Sequence, residues 1–236
     1  ACVMNCGNKA IKISEERVVT DRERCSGCGA CVSACRAGAR SLMGRTMTAE
    51  EVTREVIRDR RFYETSGGGV TLSGGDPVAQ PEFAVSILES CRREGISTLT
   101  ETCGYTDWST FNRILEQTDL VYMDVKCIDP ERHRRGTGVT NERILENAVK
   151  AARMRPVRVR VPVIPGFNDD ADELMAVAEF ARKKMGVEEI ELLKYNGLCE
   201  SKYIRLEREY EKHGESAAAG LEERMAYLRR FIGAVE

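Results

Sequence analysis

The stretch Cys25-Ser-Gly-Cys28-Gly-Ala-Cys31-Val-Ser-Ala-Cys35 constrains this chain more than any other. Its spacing is C-x2-C-x2-C-x3-C. Three thiolates so spaced wrap one corner of an iron–sulfur cube, and the fourth cysteine ligates a second cluster. Gly27 and Gly29 suit such a loop, because its amides must bend toward the inorganic sulfides without a Cβ in the way. A zinc site more often shows two separated C-x2-C pairs, and a disulfide framework needs a secreted chain.

Cys2 and Cys6 have the x3 spacing that closes another such run. Two-cluster ferredoxins carry two runs in tandem and exchange their fourth ligands. On that logic Cys25, Cys28, Cys31 and Cys6 complete one [4Fe–4S] cluster, while Cys35 and Cys2 serve a second. The bland alternative for Cys2 and Cys6 is a pair of ordinary buried thiols. Ala10-Ile-Lys-Ile and Arg40-Ser-Leu-Met follow the two runs at similar distances, an echo that predicts a pseudo-two-fold module over residues 1–46. The ten cysteines, with no signal-peptide pattern, predict a reducing compartment, the cytoplasm, with metal ligands rather than disulfides. A formal net charge of −2 implies neither nucleic acid nor an anionic membrane as partner. No apolar run approaches the ~20 residues needed to span a bilayer.

From residue 47 onward, helix and strand signals alternate. Thr48 with Glu51 forms a capping box ahead of Val52 and Val56. Strands are predicted at Val70-Thr-Leu-Ser, Ser97 to Thr102, Leu120 to Lys126, Val157 to Val163 and Glu189 to Lys194. Helices lie between them, one capped by Asp107, one opened by Asn141, and one from Leu221 to Ile232 closes the chain after a loop from His213 to Gly220. This is the rhythm of a parallel sheet with helices outside, and an open doubly wound sheet or a barrel would produce it.

The strand ends favour the barrel. Val157, Val159, Val161 and Val163 alternate with Arg158 and Arg160; Val121, Met123 and Val125 alternate with Asp124 and Lys126. Glu101 and Asn196 fall at other strand C-termini. Polar groups at the C-terminal ends of several barrel strands mark an active site. Ser66-Gly-Gly-Gly69 lacks the ending of a phosphate loop. Gly74-Gly75 follows a strand, where backbone can approach a ligand closely, and Asp76 can accept from an ammonium. His133 and His213 read as surface residues, Arg132-His-Arg-Arg135 as a solvated face, and Cys91, Cys103, Cys127 and Cys199 as incidental thiols.

The segments Thr71-Leu-Ser-Gly-Gly-Asp-Pro, Glu101-Thr-Cys-Gly-Tyr, Met123-Asp-Val-Lys, Arg160-Val-Pro-Val-Ile-Pro-Gly-Phe-Asn and Leu192-Leu-Lys-Tyr-Asn-Gly-Leu-Cys-Glu-Ser-Lys-Tyr resemble, in order, the glycyl-radical-enzyme activating enzymes of the radical S-adenosylmethionine superfamily. The likeness is to the subgroup with a two-cluster ferredoxin insert. It implies a partial (βα)6 barrel over residues 47–236, lacking its first strand, with the ferredoxin-like insert at the N-terminus. It implies [4Fe–4S] clusters and S-adenosyl-L-methionine as cofactors. Gly74, Gly75 and Asp76 match the family's Gly-Gly-Glu, which holds the methionyl amino group; this chain has the shorter Asp. Glu101, Thr102, Asp124, Val125 and Lys126 match positions around the cofactor's carboxylate and ribose. Arg160 matches a barrel arginine on the cofactor, and Asn196 stands where relatives have a histidine. The activity implied is formation of a 5′-deoxyadenosyl radical that installs a glycyl radical on a partner enzyme, with a flavodoxin- or ferredoxin-type reductant.

One departure is large. The family's Cys-x3-Cys-x2-Cys motif, which binds the radical-site cluster, is absent from the sequence. With the half-pattern at Cys2 and Cys6 and the missing strand, this predicts an N-terminally truncated chain that cannot cleave S-adenosylmethionine alone. A ferredoxin-type electron-transfer module on a non-catalytic barrel is the second reading.

Overall fold

The computed structural model describes residues 1–188 and 190–210. The expected closing helix, the loop before it and His213 lie outside the described residues. The chain divides into two compact units: Ala1–Met47 with residues 197–210, and Thr48–Asn196.

The first unit is built on a β-hairpin of β1 (Ile11–Ser14) and β2 (Arg17–Thr20), paired antiparallel with Ser14 opposite Arg17. Its two-residue turn, Glu15-Glu16, holds both residues at positive φ, 48° and 63°. That is the geometry a tight hairpin demands, here without the usual Asn or Gly. After β2 comes the cysteine loop and one short helical turn, α1 (Ala30–Ser33). The expected echo of β1 at Arg40–Met43 is no strand. Arg40 instead turns its guanidinium onto the Thr20 hydroxyl at the end of β2. The stretch Gly197 onward closes on the hairpin: Glu207 accepts the Thr20 N–H at 2.8 Å, beyond a helix at Glu200–Arg205.

The second unit opens with α2 (Ala49–Ile57), and its capping box is formed: Thr48 Oγ1 accepts from Glu51 N while Glu51 accepts from Thr48 N. Then follow α3 (Arg60–Ser66), β3 (Gly69–Leu72), α4 (Pro81–Arg93), β4 (Ser97–Thr102), α5 (Trp108–Glu116), β5 (Leu120–Asp124), α6 (Pro130–Thr137), α7 (Glu142–Met154), β6 (Val157–Val163), α8 (Ala171–Phe180) and β7 (Ile190–Lys194). The five strands pair in parallel in sequence order, with no reversal such as a doubly wound sheet requires. Alternation then sorts the side chains. Val121, Met123 and Val125, with Val159, Val161 and Val163, bury against Phe111 and Leu115 of α5, Ile144 and Ala148 of α7, and Leu174 and Val177 of α8. The intervening residues occupy the opposite face.

Two expectations are corrected. His133 is buried, 2% exposed: its Nδ1 lies 2.7 Å from the Val139 carbonyl and 3.0 Å from Thr137 Oγ1, closing the loop after α6. Of the expected solvated face, Arg134 and Arg135 are exposed, but Arg132 pairs with Asp170 and lies 3.6 Å from Glu173. Asn141 opens α7 as expected, while its side-chain amide donates to the carbonyls of Cys127 and Ile128 rather than capping the helix. No helix among the described residues is long and apolar enough to cross a membrane.

Candidate functional site

In the first unit, the loop from Cys25 turns sharply at Gly27 and Gly29, both left-handed at φ 70° and 76°. A Cβ at Gly29 would stand 3.1 Å from Leu42 Cδ1. The turns gather Cys25, Cys28 and Cys31 around a cavity that Cys6, Ile11 and Leu42 also line. Cys2 and Cys35 are half-buried outside it. The Cys6 sulfur accepts the Ala10 N–H at 3.2 Å, the kind of bond that stabilises a thiolate ligand. All ten cysteines are free thiols. Among the described residues, no three Cys, His, Asp or Glu side chains converge on a single-ion site. An all-sulfur donor set around an apolar-walled space fits a cubane cluster.

In the second unit, sheet register assembles the charged groups on the face opposite the helices. Asp124 of β5 sits beside Arg160 of β6, and Arg160 beside Glu191 of β7. Arg160 is clamped from three sides. Nη1 meets Glu101 Oε1 of β4 at 2.5 Å, Nε lies 3.1 Å from Glu191 Oε2 without hydrogen-bond geometry, and the guanidinium carbon stands 5.2 Å from the Tyr122 ring centre. Asp124 is less well provided. Its Oδ2 is 3.7 Å from Lys126 Nζ, and its Oδ1 is buried with no hydrogen-bond partner among the described residues. Burial raises the Asp124 carboxyl above the usual carboxylate range, against the pull of Lys126 and Arg160. Orphaned buried acceptors are rare and call for a ligand or water.

The turn after β3 completes this end of the sheet. Gly74 takes φ 112°, and Asp76 begins a short 3₁₀ turn, Pro77–Ala79. Asp76 accepts from Thr102 Oγ1 at 2.6 Å and from Cys103 N at 3.0 Å. Of the residues singled out in the sequence, Glu101, Asp124, Lys126 and Arg160 come together. Gly74, Gly75 and Asp76 lie at the end of the adjoining strand, and Asn196 is exposed just beyond β7. Thr102 and Val125 face the helices, 3% and 1% exposed, so only their backbone can meet a ligand on the open face.

Sequence reasoning missed Tyr122 and Glu191, which strand alternation alone would have put beside Glu101 and Arg160. It also missed a set of buried amides below the site. Asn147 donates to the carbonyls of Gly104 and Thr106, fixing the loop after β4. Asn168, fully buried, donates to Lys126 O and Pro162 O and accepts from Ile164 N, joining the ends of β5 and β6.

The sequence model of the radical SAM superfamily matches residues 22–181. The isethionate sulfite-lyase activating enzyme of Oleidesulfovibrio alaskensis is 43% identical over 213 residues, 88% of this chain and 68% of that protein. The (2S)-3-sulfopropanediol dehydratase activating enzyme of Klebsiella oxytoca is 38% identical over 87% of this chain and 67% of its own length. The chain belongs to the glycyl-radical-enzyme activating enzymes of the radical SAM superfamily. Among solved structures, a domain of pyruvate-formate lyase-activating enzyme from Bacteroides vulgatus matches with a TM-score of 0.56 and 26% identity, over 72% of this chain and 99% of that one. The family's cofactors are a [4Fe–4S] cluster and S-adenosyl-L-methionine.

Proposed function

We propose that this activating enzyme holds S-adenosyl-L-methionine on the open face of its sheet and serves a glycyl radical enzyme as its protein partner. The sheet is read as a partial (βα)6 barrel without its first strand, and the first unit as a ferredoxin-like insert. The observation that carries the site is Asp124: a buried, unpartnered carboxylate oxygen on the same face as Arg160, Glu101 and Lys126, at the C-terminal ends of parallel strands.

Each residue then has a task. The backbone of Gly74 and Gly75, where a Cβ would have no neighbour within 4 Å, receives the methionyl end. Arg160, already balanced by Glu101 and Glu191, offers oriented donors to a carboxylate without carrying an unpaired charge. Asp124 and Glu101 accept from ribose hydroxyls, with Thr102 and Val125 contributing backbone. Asn196 offers an amide to the adenosine end, where it cannot titrate near neutral pH. Cys6, Cys25, Cys28 and Cys31 would hold a [4Fe–4S] cluster, with Cys2 and Cys35 directed to a second, and a flavodoxin- or ferredoxin-type protein as reductant. Bound together, the cofactors of such an enzyme supply a 5′-deoxyadenosyl radical that takes a hydrogen atom from a glycine of the partner.

The sequence holds no Cys-x3-Cys-x2-Cys run. Incubated anaerobically with dithionite and S-adenosyl-L-methionine, a polypeptide of this sequence is expected to bind the cofactor but release no 5′-deoxyadenosine. Gly75→Val should abolish that binding, by filling the space beside the turn. Wild-type-like binding by Gly75→Val would refute the site; release of 5′-deoxyadenosine would refute the inactivity.

A further inference from the structure

We infer that Asp76 is a positioning residue: its carboxylate braces the Gly74–Gly75 turn against the end of β4, with Thr102 and Cys103 as its partners, and does not itself meet the cofactor. The inference rests on the site proposed above and changes the role that the family resemblance implies for Asp76.

The hydrogen bonds of Asp76 are fully committed. Oδ1 accepts from Val78 N at 3.2 Å and from Thr102 Oγ1 at 2.6 Å; Oδ2 accepts from Cys103 N at 3.0 Å and from Cys103 Sγ at 3.2 Å. A carboxylate has about four lone-pair sites, and these four donors fill them. An ammonium could bind only by displacing one. The network continues inward, because Thr102 Oγ1 in turn accepts the Gly104 N–H at 2.9 Å. Gly104 sits at φ 67° with Met123 Cε 2.8 Å from where a Cβ would stand, so the turn after β4 is fixed against the core. Asp76 thus ties one glycine turn, facing the ligand, to a second one anchored beneath it. The shorter Asp fits this span; a longer side chain would push the two turns apart.

Thr102 makes the inference testable. It is 3% exposed on the helix side of β4, so its hydroxyl can influence a ligand only through the two turns it braces, by its bonds to Asp76 and to Gly104. Cys103 gives a second readout. Its thiol is held above the ordinary range, first by burial and then by the charge and hydrogen bond of Asp76.

The experiment uses the full chain, reconstituted anaerobically. Alkylation of Cys103 by iodoacetamide is followed on its peptide by mass spectrometry, and S-adenosylhomocysteine affinity by calorimetry. Asp76→Asn should raise the Cys103 alkylation rate several-fold, because the thiolate then forms without a carboxylate beside it. Asp76→Asn and the isosteric Thr102→Val should both weaken the ligand, by about tenfold each. Asp76→Glu should also weaken it, whereas a side chain that contacted the ammonium would gain from the extra reach. If Thr102→Val binds like wild type while Asp76→Asn does not, the carboxylate meets the ligand directly and the inference is overturned. It is equally overturned if neither variant changes affinity, or if Cys103 alkylation is unmoved in Asp76→Asn. Should the wild-type chain bind no S-adenosylhomocysteine, the proposed site itself fails, and Cys103 alkylation alone still decides whether the brace exists.

Discussion

Replacing Arg160 by Met removes the one cation that three strands share. Breaking a fully buried ion pair costs about 3–5 kcal/mol, because the partner is left charged and desolvated. Here the side chains of Arg160, Glu101 and Glu191 are 16%, 30% and 49% exposed, so water relieves part of that cost. The loss of the contact with the Tyr122 ring adds about 0.5–1 kcal/mol. Together these give about 2 kcal/mol, or a fall of about 4–8 °C in melting temperature for a chain of this size. The decisive form is a double-mutant cycle. Arg160→Met and Glu101→Gln each destabilise, but Glu101→Gln in the Arg160→Met background should cost almost nothing, since the orphaned carboxylate is then gone. Denaturant unfolding of the four proteins should give a coupling energy of about 1–2 kcal/mol. Strict additivity would show that Glu101 and Arg160 do not interact in solution, and the picture of a pre-balanced arginine on the sheet face would fall with it.

Three further outcomes are expected. Asp124→Asn should stabilise the protein at neutral pH while weakening S-adenosyl-L-methionine. Because burial raises the carboxyl in the folded state, its charged form is a penalty that sets in as pH rises through the unfolded value and is complete above the folded one; the gain from Asp124→Asn should therefore vanish in acid, as melting curves across pH would show. Asn168→Ala should cost about 3 kcal/mol, from three buried hydrogen bonds lost together, and should also loosen the cofactor, because Lys126 leaves its place. Ser in place of Cys6 or Cys31 should abolish the visible charge-transfer band of the cluster in their cavity, whereas Cys35→Ser should leave that cluster intact, as iron content and electron paramagnetic resonance would report.

The sheet was legible because its strands carry their own punctuation. Alternating valines and charges in β5 and β6 need one buried face and one ligand-bearing face, and no other pairing satisfies both. The capping residues Thr48 and Asp107 act locally, so their helices could be read directly. Elements without an apolar stripe were invisible. Helix α6 is almost wholly polar; it is held by the Asp129 cap, by Pro130 at its first position and by the buried His133, none of which shows as periodicity. The hairpin turn was hidden because two glutamates stand where glycine or asparagine would have announced it. Asn141, Asn147 and Asn168 read as ordinary loop or helix residues, since their partners are carbonyls from distant turns. The candidate ligands were legible by type. Alternation within each strand turns Thr102 and Val125 to the helices and Tyr122 and Glu191 to the open face, a sorting the sequence carried but residue type alone did not announce.

The site's location is tested most directly by amide hydrogen exchange on the anaerobically reconstituted chain, with and without saturating S-adenosyl-L-methionine. The account predicts new protection in peptides that carry Gly74 to Asp76, Glu101 to Gly104 and Asp124 to Lys126, at the C-terminal ends of three neighbouring strands, and Arg160 in the middle of the fourth. Cofactor binding that protects none of these peptides, or only those of the cysteine-lined unit, would contradict it.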